Sequence, residues 1–215
     1  MKNEQQIREI LLQNTIRLIA EGGFEKATTH AIAYSGDSAP DIKMNEVYIY
    51  RLFGSKEKLY EAAFATLEKE LTDAIWEAIC AEGDLTPDIK TKLSRMFTHV
   101  WEFVMKSEPR CRCYIRFYYS VYFKGAARRE HTRVFDGLIR AFSPLFKEEA
   151  DVNAIMHSVF TALLDFAIRV YNGDLENSEI NVPHVFNVLY CMMMTYFKEE
   201  IRASEQSAEQ RCATI

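Results

Sequence analysis

What most constrains this chain is where its helix breakers fall. Glycine (8) and proline (5) are scarce among 215 residues, too few for the many turns of a β-sandwich or barrel. They separate stretches in which apolar residues recur three and four positions apart, the spacing of one face of an α-helix. Ile7, Leu11, Thr15, Leu18 and Ile19 form such a stripe, and Gly22-Gly23 follow as a stop, because glycine enters the left-handed conformation at little cost. The first helix is therefore predicted at 4–21. Thr28 or Thr29 caps a short second helix ending near Tyr34.

The segment SGDSAPDIK carries Gly36, Pro40, two serines and two aspartates and reads as a loop or turn. Asn45 caps a third helix at 46–53, Gly54 ends it, and Ser55 caps a fourth running to about residue 81. Placed between two caps, Tyr48 and Tyr50 are helical, although their spacing would also fit a strand. Thr86 and Pro87 restart the chain after EGDLTPD, and further helices are predicted at 87–106, 110–123, 128–146, 150–172 and 182–203. The fold class is all-α with about nine helices, and the polar tail 204–215 is expected to fray.

Composition excludes several classes. No apolar run approaches the ~20 residues of a membrane span, and the polar start MKNEQQIREI has no signal-peptide core. No partnership with a membrane is expected. Five cysteines, none in a C-x-x-C pair, point to reduced thiols in a cytoplasm. No Gly-rich phosphate loop, H-E-x-x-H or G-x-S-x-G is present. No enzymatic activity, cofactor or metal site is expected. The net charge of −5 disfavours a protein that coats nucleic acid but leaves room for a local DNA-reading surface.

The first sixty residues read as helix, short helix, turn, short helix, long helix. In a helix-turn-helix the second short helix enters the major groove. The stretches ILLQNTIRLIAEGGFEKATTHAIA (10–33) and VYIYRLFGSKEKLY (47–60) resemble the amino-terminal domain of the TetR family of transcriptional regulators. The resemblance rests on Gly23, Phe24, Thr28, Ile32, Ala33, Ile49, Tyr50, Phe53, Ser55, Lys56, Glu57 and Leu59, in order. It implies a helix-turn-helix domain over 1–58, a helical regulatory and dimerisation domain over 59–203, and a ligand-responsive regulator, a repressor released from a palindromic operator by a small apolar or aromatic molecule. The residues agree with it. Ile49 and Phe53, four apart, share a face that packs inward, whereas Tyr48 and Arg51 share another. The DNA-binding candidates are Thr28, Lys43, Asn45, Glu46, Tyr48, Tyr50, Arg51 and Lys56. Thr28 sits where a hydroxyl caps a helix or touches the DNA backbone, Lys56 is carried over as a phosphate contact, and Arg51 reaches either a phosphate or a guanine edge. Glu46 either accepts from a cytosine amine or repels phosphate.

Two features depart from the family pattern. The turn before the third helix is about six residues longer, as a loop or as an extra helical turn, and Lys43-Met44-Asn45 replaces the usual Gly-Val-Ser. Residues 1–58 also hold eight basic and eight acidic residues, so any phosphate-binding surface requires segregated charge. These departures motivate a second reading, a helical ligand-binding or interaction protein with weak or lost DNA binding.

In the larger domain, Phe97, Trp101, Tyr114, Phe117, Tyr118, Tyr122, His157 and Phe160 are candidates for a ligand pocket, against the plainer reading of core packing. The family resemblance favours a pocket drawn from 93–104, 114–122 and 155–166, with tyrosine hydroxyls orienting a flat or greasy ligand. The last two helices are apolar on more than one face, so a second face needs a partner. The resemblance makes that partner a second copy of the chain.

Overall fold

The computed structural model describes residues 2–35, 44–83 and 88–204, with side chains from Glu4 onward. Nine α-helices, a further helical segment at 199–204, one 3-10 turn and no strand occur among them. The helices are α1 (Lys2–Lys26), α2 (Thr29–Tyr34), α3 (Val47–Phe53), α4 (Lys56–Glu82), α5 (Ile89–Met105), α6 (Glu108–Tyr118), α7 (Gly125–Phe142), α8 (Val152–Tyr171) and α9 (Asn181–Met194). They divide into two units, residues 1–70 with 107–132 and residues 71–106 with 133–215. The expected boundary at residue 58 falls within α4, and α6, expected in the larger domain, groups with the amino-terminal helices.

In the first unit α1 buries Ile7, Leu11, Thr15, Leu18 and Ile19, the stripe visible in the sequence, and Ile16 with them. Its helical geometry breaks at the predicted place, where Gly23 takes φ 76°. The Asn14 amide donates to the Ile32 carbonyl at 2.8 Å. Arg17 donates to the Ser35 carbonyl at 2.5 Å. These two bonds satisfy carbonyls at the end of α2 that the short helix leaves open. Arg8 donates to the Leu52 carbonyl at 3.2 Å and lies over the Phe53 ring at 4.4 Å, so α1 also holds the end of α3. Helix α6 packs along α1. It ends at Tyr118, and the rest of the predicted 110–123 forms turns. Phe117 stacks on Phe64 of α4 with ring centroids 4.4 Å apart.

In the second unit the predicted helix at 182–203 divides. Helix α9 stops at Met194, Phe197 pairs with Phe146 in an antiparallel bridge, and helix resumes at 199–204. Two backbone bonds cause the break: Lys147 N–H to the Tyr196 carbonyl at 2.9 Å and Lys198 N–H to the Leu145 carbonyl at 3.0 Å. Both phenylalanines are buried, with rings 5.1 Å apart. Pro144 lies in the 3-10 turn that ends the predicted 128–146 helix early. Helix α8 is long and apolar enough to cross a membrane by length and composition, an exception to the sequence expectation. Ile155, Leu163, Leu164 and Ala167 on it are buried in the second unit, and most of its other residues are not.

Candidate nucleic-acid interface and apolar cavity

Local capping builds the candidate nucleic-acid interface. The Thr28 hydroxyl oxygen accepts from the Ala31 N–H at 3.1 Å. A hydroxyl that accepts still has its own hydrogen to donate, and Thr28 is exposed. The Asn45 side-chain oxygen accepts from the Val47 N–H at 3.0 Å, opening α3. Gly54, at φ 86°, closes it, and the Ser55 hydroxyl caps α4 through the Lys58 N–H at 3.2 Å. Between these caps Ile49 and Phe53 are buried. Val47 is 63% exposed and Tyr50 56%, and Arg51 also faces outward. Tyr48 is half-buried beneath the Arg51 guanidinium, 4.6 Å from its ring centroid. Tyr34, Met44, Asn45, Val47, Tyr48 and Arg51 line a cleft between α2 and α3. Glu46 is half-exposed and makes no side-chain cap. Lys43 lies outside the described residues.

The two phosphate-contact candidates are tied to one phenol. The Tyr60 hydroxyl donates to the Ala27 carbonyl at 2.6 Å, next to Thr28. Lys56 lies over the Tyr60 ring at 5.7 Å. The ring is fully buried against Phe24 and Tyr122. Burial, with smaller contributions from Tyr122, Glu57 and Glu25, pushes the Tyr60 phenol well above its ordinary value. It therefore stays a protonated donor.

The second unit holds a cavity of about 120 Å³. Its walls include Ile75 of α4, Leu93, Phe97 and Val100 of α5, Phe135, Ile139 and Phe142 of α7, Phe160 and Leu163 of α8, and Phe186 and Met193 of α9. Every wall residue is a hydrocarbon or thioether side chain. Of the ligand candidates, Phe97 and Phe160 are on this wall. Trp101 is buried beside it, stacked on Phe97 with centroids 5.6 Å apart, and its indole N–H donates to Asn177 at 3.0 Å. Tyr114, Phe117, Tyr118 and Tyr122 belong to the first unit, packed among Phe24, Tyr60, Phe64 and Phe123. His157 is exposed on α8. Sequence reasoning missed Ile75 of α4, the Phe186, Leu189 and Met193 wall of α9, and the wall formed by α7. Its Phe135, Leu138, Ile139 and Phe142 follow helical spacing and were a readable signal beside the charged residues around them.

No protein-family model and no curated protein sequence matches the chain. Solved structures do. A TetR family transcription regulator from Marinobacter aquaeolei VT8 is similar over 89% of this chain and 97% of its own, at 16% identity and a TM-score of 0.73. A TetR-like transcriptional regulator from Rhodococcus sp. RHA1 is similar over 88% and 92%, at 19% identity and a TM-score of 0.62. The fatty acid degradation regulator FadR from Bacillus halodurans is similar over 84% and 96%, at 16% identity and a TM-score of 0.61. The chain therefore has the fold of the TetR-family transcription regulators. That is the fold which the residue pattern at 10–60 anticipates.

Proposed function

We propose that this protein is a homodimeric, DNA-binding transcriptional regulator, a repressor released from a palindromic operator when a small uncharged apolar molecule enters the cavity. The observation that carries this reading is α3. It is a two-turn helix capped at both ends, packed inward through Ile49 and Phe53, and presenting Val47, Tyr50 and Arg51 outward. A helix so held is the recognition element of a helix-turn-helix. Thr28, Tyr50 and Lys56 supply backbone contacts, while Asn45, Tyr48 and Arg51 border the groove face, with Lys43 and Glu46 beside them.

Cavity chemistry supports the ligand class. A recess of this size lined by hydrocarbon side chains suits a benzene-sized apolar molecule. No hydroxyl or charge on its wall would orient a polar ligand. Binding would favour a dimer whose reading heads are wrongly spaced for the operator, by no more than the ligand's difference in affinity for the two states. The dimer reading rests on α8 and α9, which pack together. Val188 on α9 is 49% exposed. A two-fold interface there matches a palindromic site.

A second reading is a helical ligand-binding or interaction protein with weak or lost DNA binding. The balanced charge of residues 1–58 favours it. Selection from a randomised duplex library at low salt separates the two. Enrichment of a palindrome supports the regulator. Recovery of no common sequence overturns it in favour of the second reading.

A further inference from the structure

Glu4 and Arg51 are 47 residues apart in sequence and in contact in the fold. The Arg51 Nη2 group meets a Glu4 carboxylate oxygen at 2.9 Å, and each side chain is about half exposed. The Arg51 guanidinium carbon lies 4.6 Å from the Tyr48 ring centroid, and Arg8, one helical turn on from Glu4, donates to the Leu52 carbonyl and lies over the Phe53 ring. We propose that Glu4 is a positioning residue that reserves Arg51 for a base edge in the major groove and withholds it from the phosphate backbone.

This inference rests on the DNA-binding reading and deepens it. A free arginine on a phosphate adds about one unit to the salt dependence of binding, through counterion release. The Arg51–Glu4 pair is neutral as a whole, so it contributes less to that release than a lone arginine. The arginine's geometry remains useful. Guanidinium presents five N–H donors in a rigid fork. One arm is taken by Glu4, one face by Tyr48, and α3 fixes the backbone. Arg51 is exposed on α3, with its side chain about half accessible. Bidentate donation from such a fork to O6 and N7 is the commonest arginine contact to guanine. The sequence leaves Arg51 open between phosphate and base; the contact with Glu4, which no periodicity reveals, favours the base.

Three proteins are carried through selection from a randomised duplex library and a salt titration on the enriched duplex: wild type, Arg51→Ala and Glu4→Gln. Glu4 and Arg51 are surface residues, and circular dichroism verifies that each variant folds. Arg51→Ala is expected to leave the salt slope unchanged while losing a guanine preference of roughly tenfold to a hundredfold at one position per half-site. Glu4→Gln, which frees the guanidinium, is expected to steepen the slope by about one unit per subunit and flatten the same guanine preference. The proposal is overturned if Arg51→Ala lowers the slope by about one unit with base preference intact, since Arg51 is then a phosphate contact. It is equally overturned if Glu4→Gln changes neither quantity. If wild type itself shows no salt-dependent binding, the DNA-binding reading fails and takes this proposal with it.

Discussion

Replacing Tyr60 by Phe tests whether one phenol organises the turn between α1 and α2. The substitution keeps the ring, which is fully buried and packs edge-on to Phe24 with centroids 5.1 Å apart. It removes only the hydroxyl that donates to the Ala27 carbonyl at 2.6 Å. Among the described residues no backbone N–H outside the helices reaches that carbonyl, and Ala27 is fully buried. The variant therefore leaves a buried acceptor unsatisfied, a defect that costs about 1–3 kcal/mol. Removing the hydroxyl also relieves its own burial, so the lower half of that range applies. For a chain of this size a loss of about 1–2 kcal/mol lowers Tm by roughly 2–8 °C. Urea denaturation followed by circular dichroism should show a reduced midpoint with an unchanged slope. Amide exchange at Thr28 and Thr29 should quicken beyond the global change, because the released segment leads into α2. A Tyr60→Phe protein as stable as wild type, with unaltered exchange there, would refute the argument that this bond fixes the α1–α2 turn.

Lys56→Ala is expected to weaken binding to all duplex sequences alike and to lower the salt slope by about one unit per subunit, as read by fluorescence anisotropy; an unchanged slope removes Lys56 from the DNA surface. Val188→Asp, a charge on the exposed side of α9, should give monomers in sedimentation velocity and lose operator binding at the same time. Val100→Leu adds one methylene to the cavity wall. It is expected to reduce the stabilisation that benzene gives the wild type in thermal unfolding by at least half, and equal stabilisation of both would place the site elsewhere. Burial holds the Cys111 and Cys113 thiols up at about 12, from an ordinary 9.0. At pH 8 a maleimide should label exposed Cys80 and spare these two. Because the folded state binds these protons more tightly than the unfolded one, their stabilising contribution is complete below pH 9 and is lost as pH rises towards 12, which an alkaline unfolding series checks.

The features legible in the sequence were those that close within a few residues. The caps at Thr28, Asn45 and Ser55 and the glycine endings at Gly23 and Gly54 are set by backbone groups one to four positions away. Their residue types announced them. The α1 stripe and the inward face of α3 were legible too, because helical periodicity states which side of a helix is buried. Periodicity does not state what covers that side. Tyr114 and Phe117 have the same signature as Phe97 and Phe160, yet the first pair packs against Phe64 in one unit and the second lines the cavity of the other. The end of α9 was hidden for a related reason. Its break comes from backbone bonds to Leu145 and Lys147, some fifty residues earlier, and nothing within 195–198 itself breaks a helix. So too with Arg51. Its local sequence sets its place on α3, and only Glu4, brought alongside by the packing of α1 on α3, decides the surroundings of its charge. Short-range hydrogen bonding and helical pitch are properties of a segment, whereas the partner of a buried ring or a paired charge is a property of the chain's return to itself.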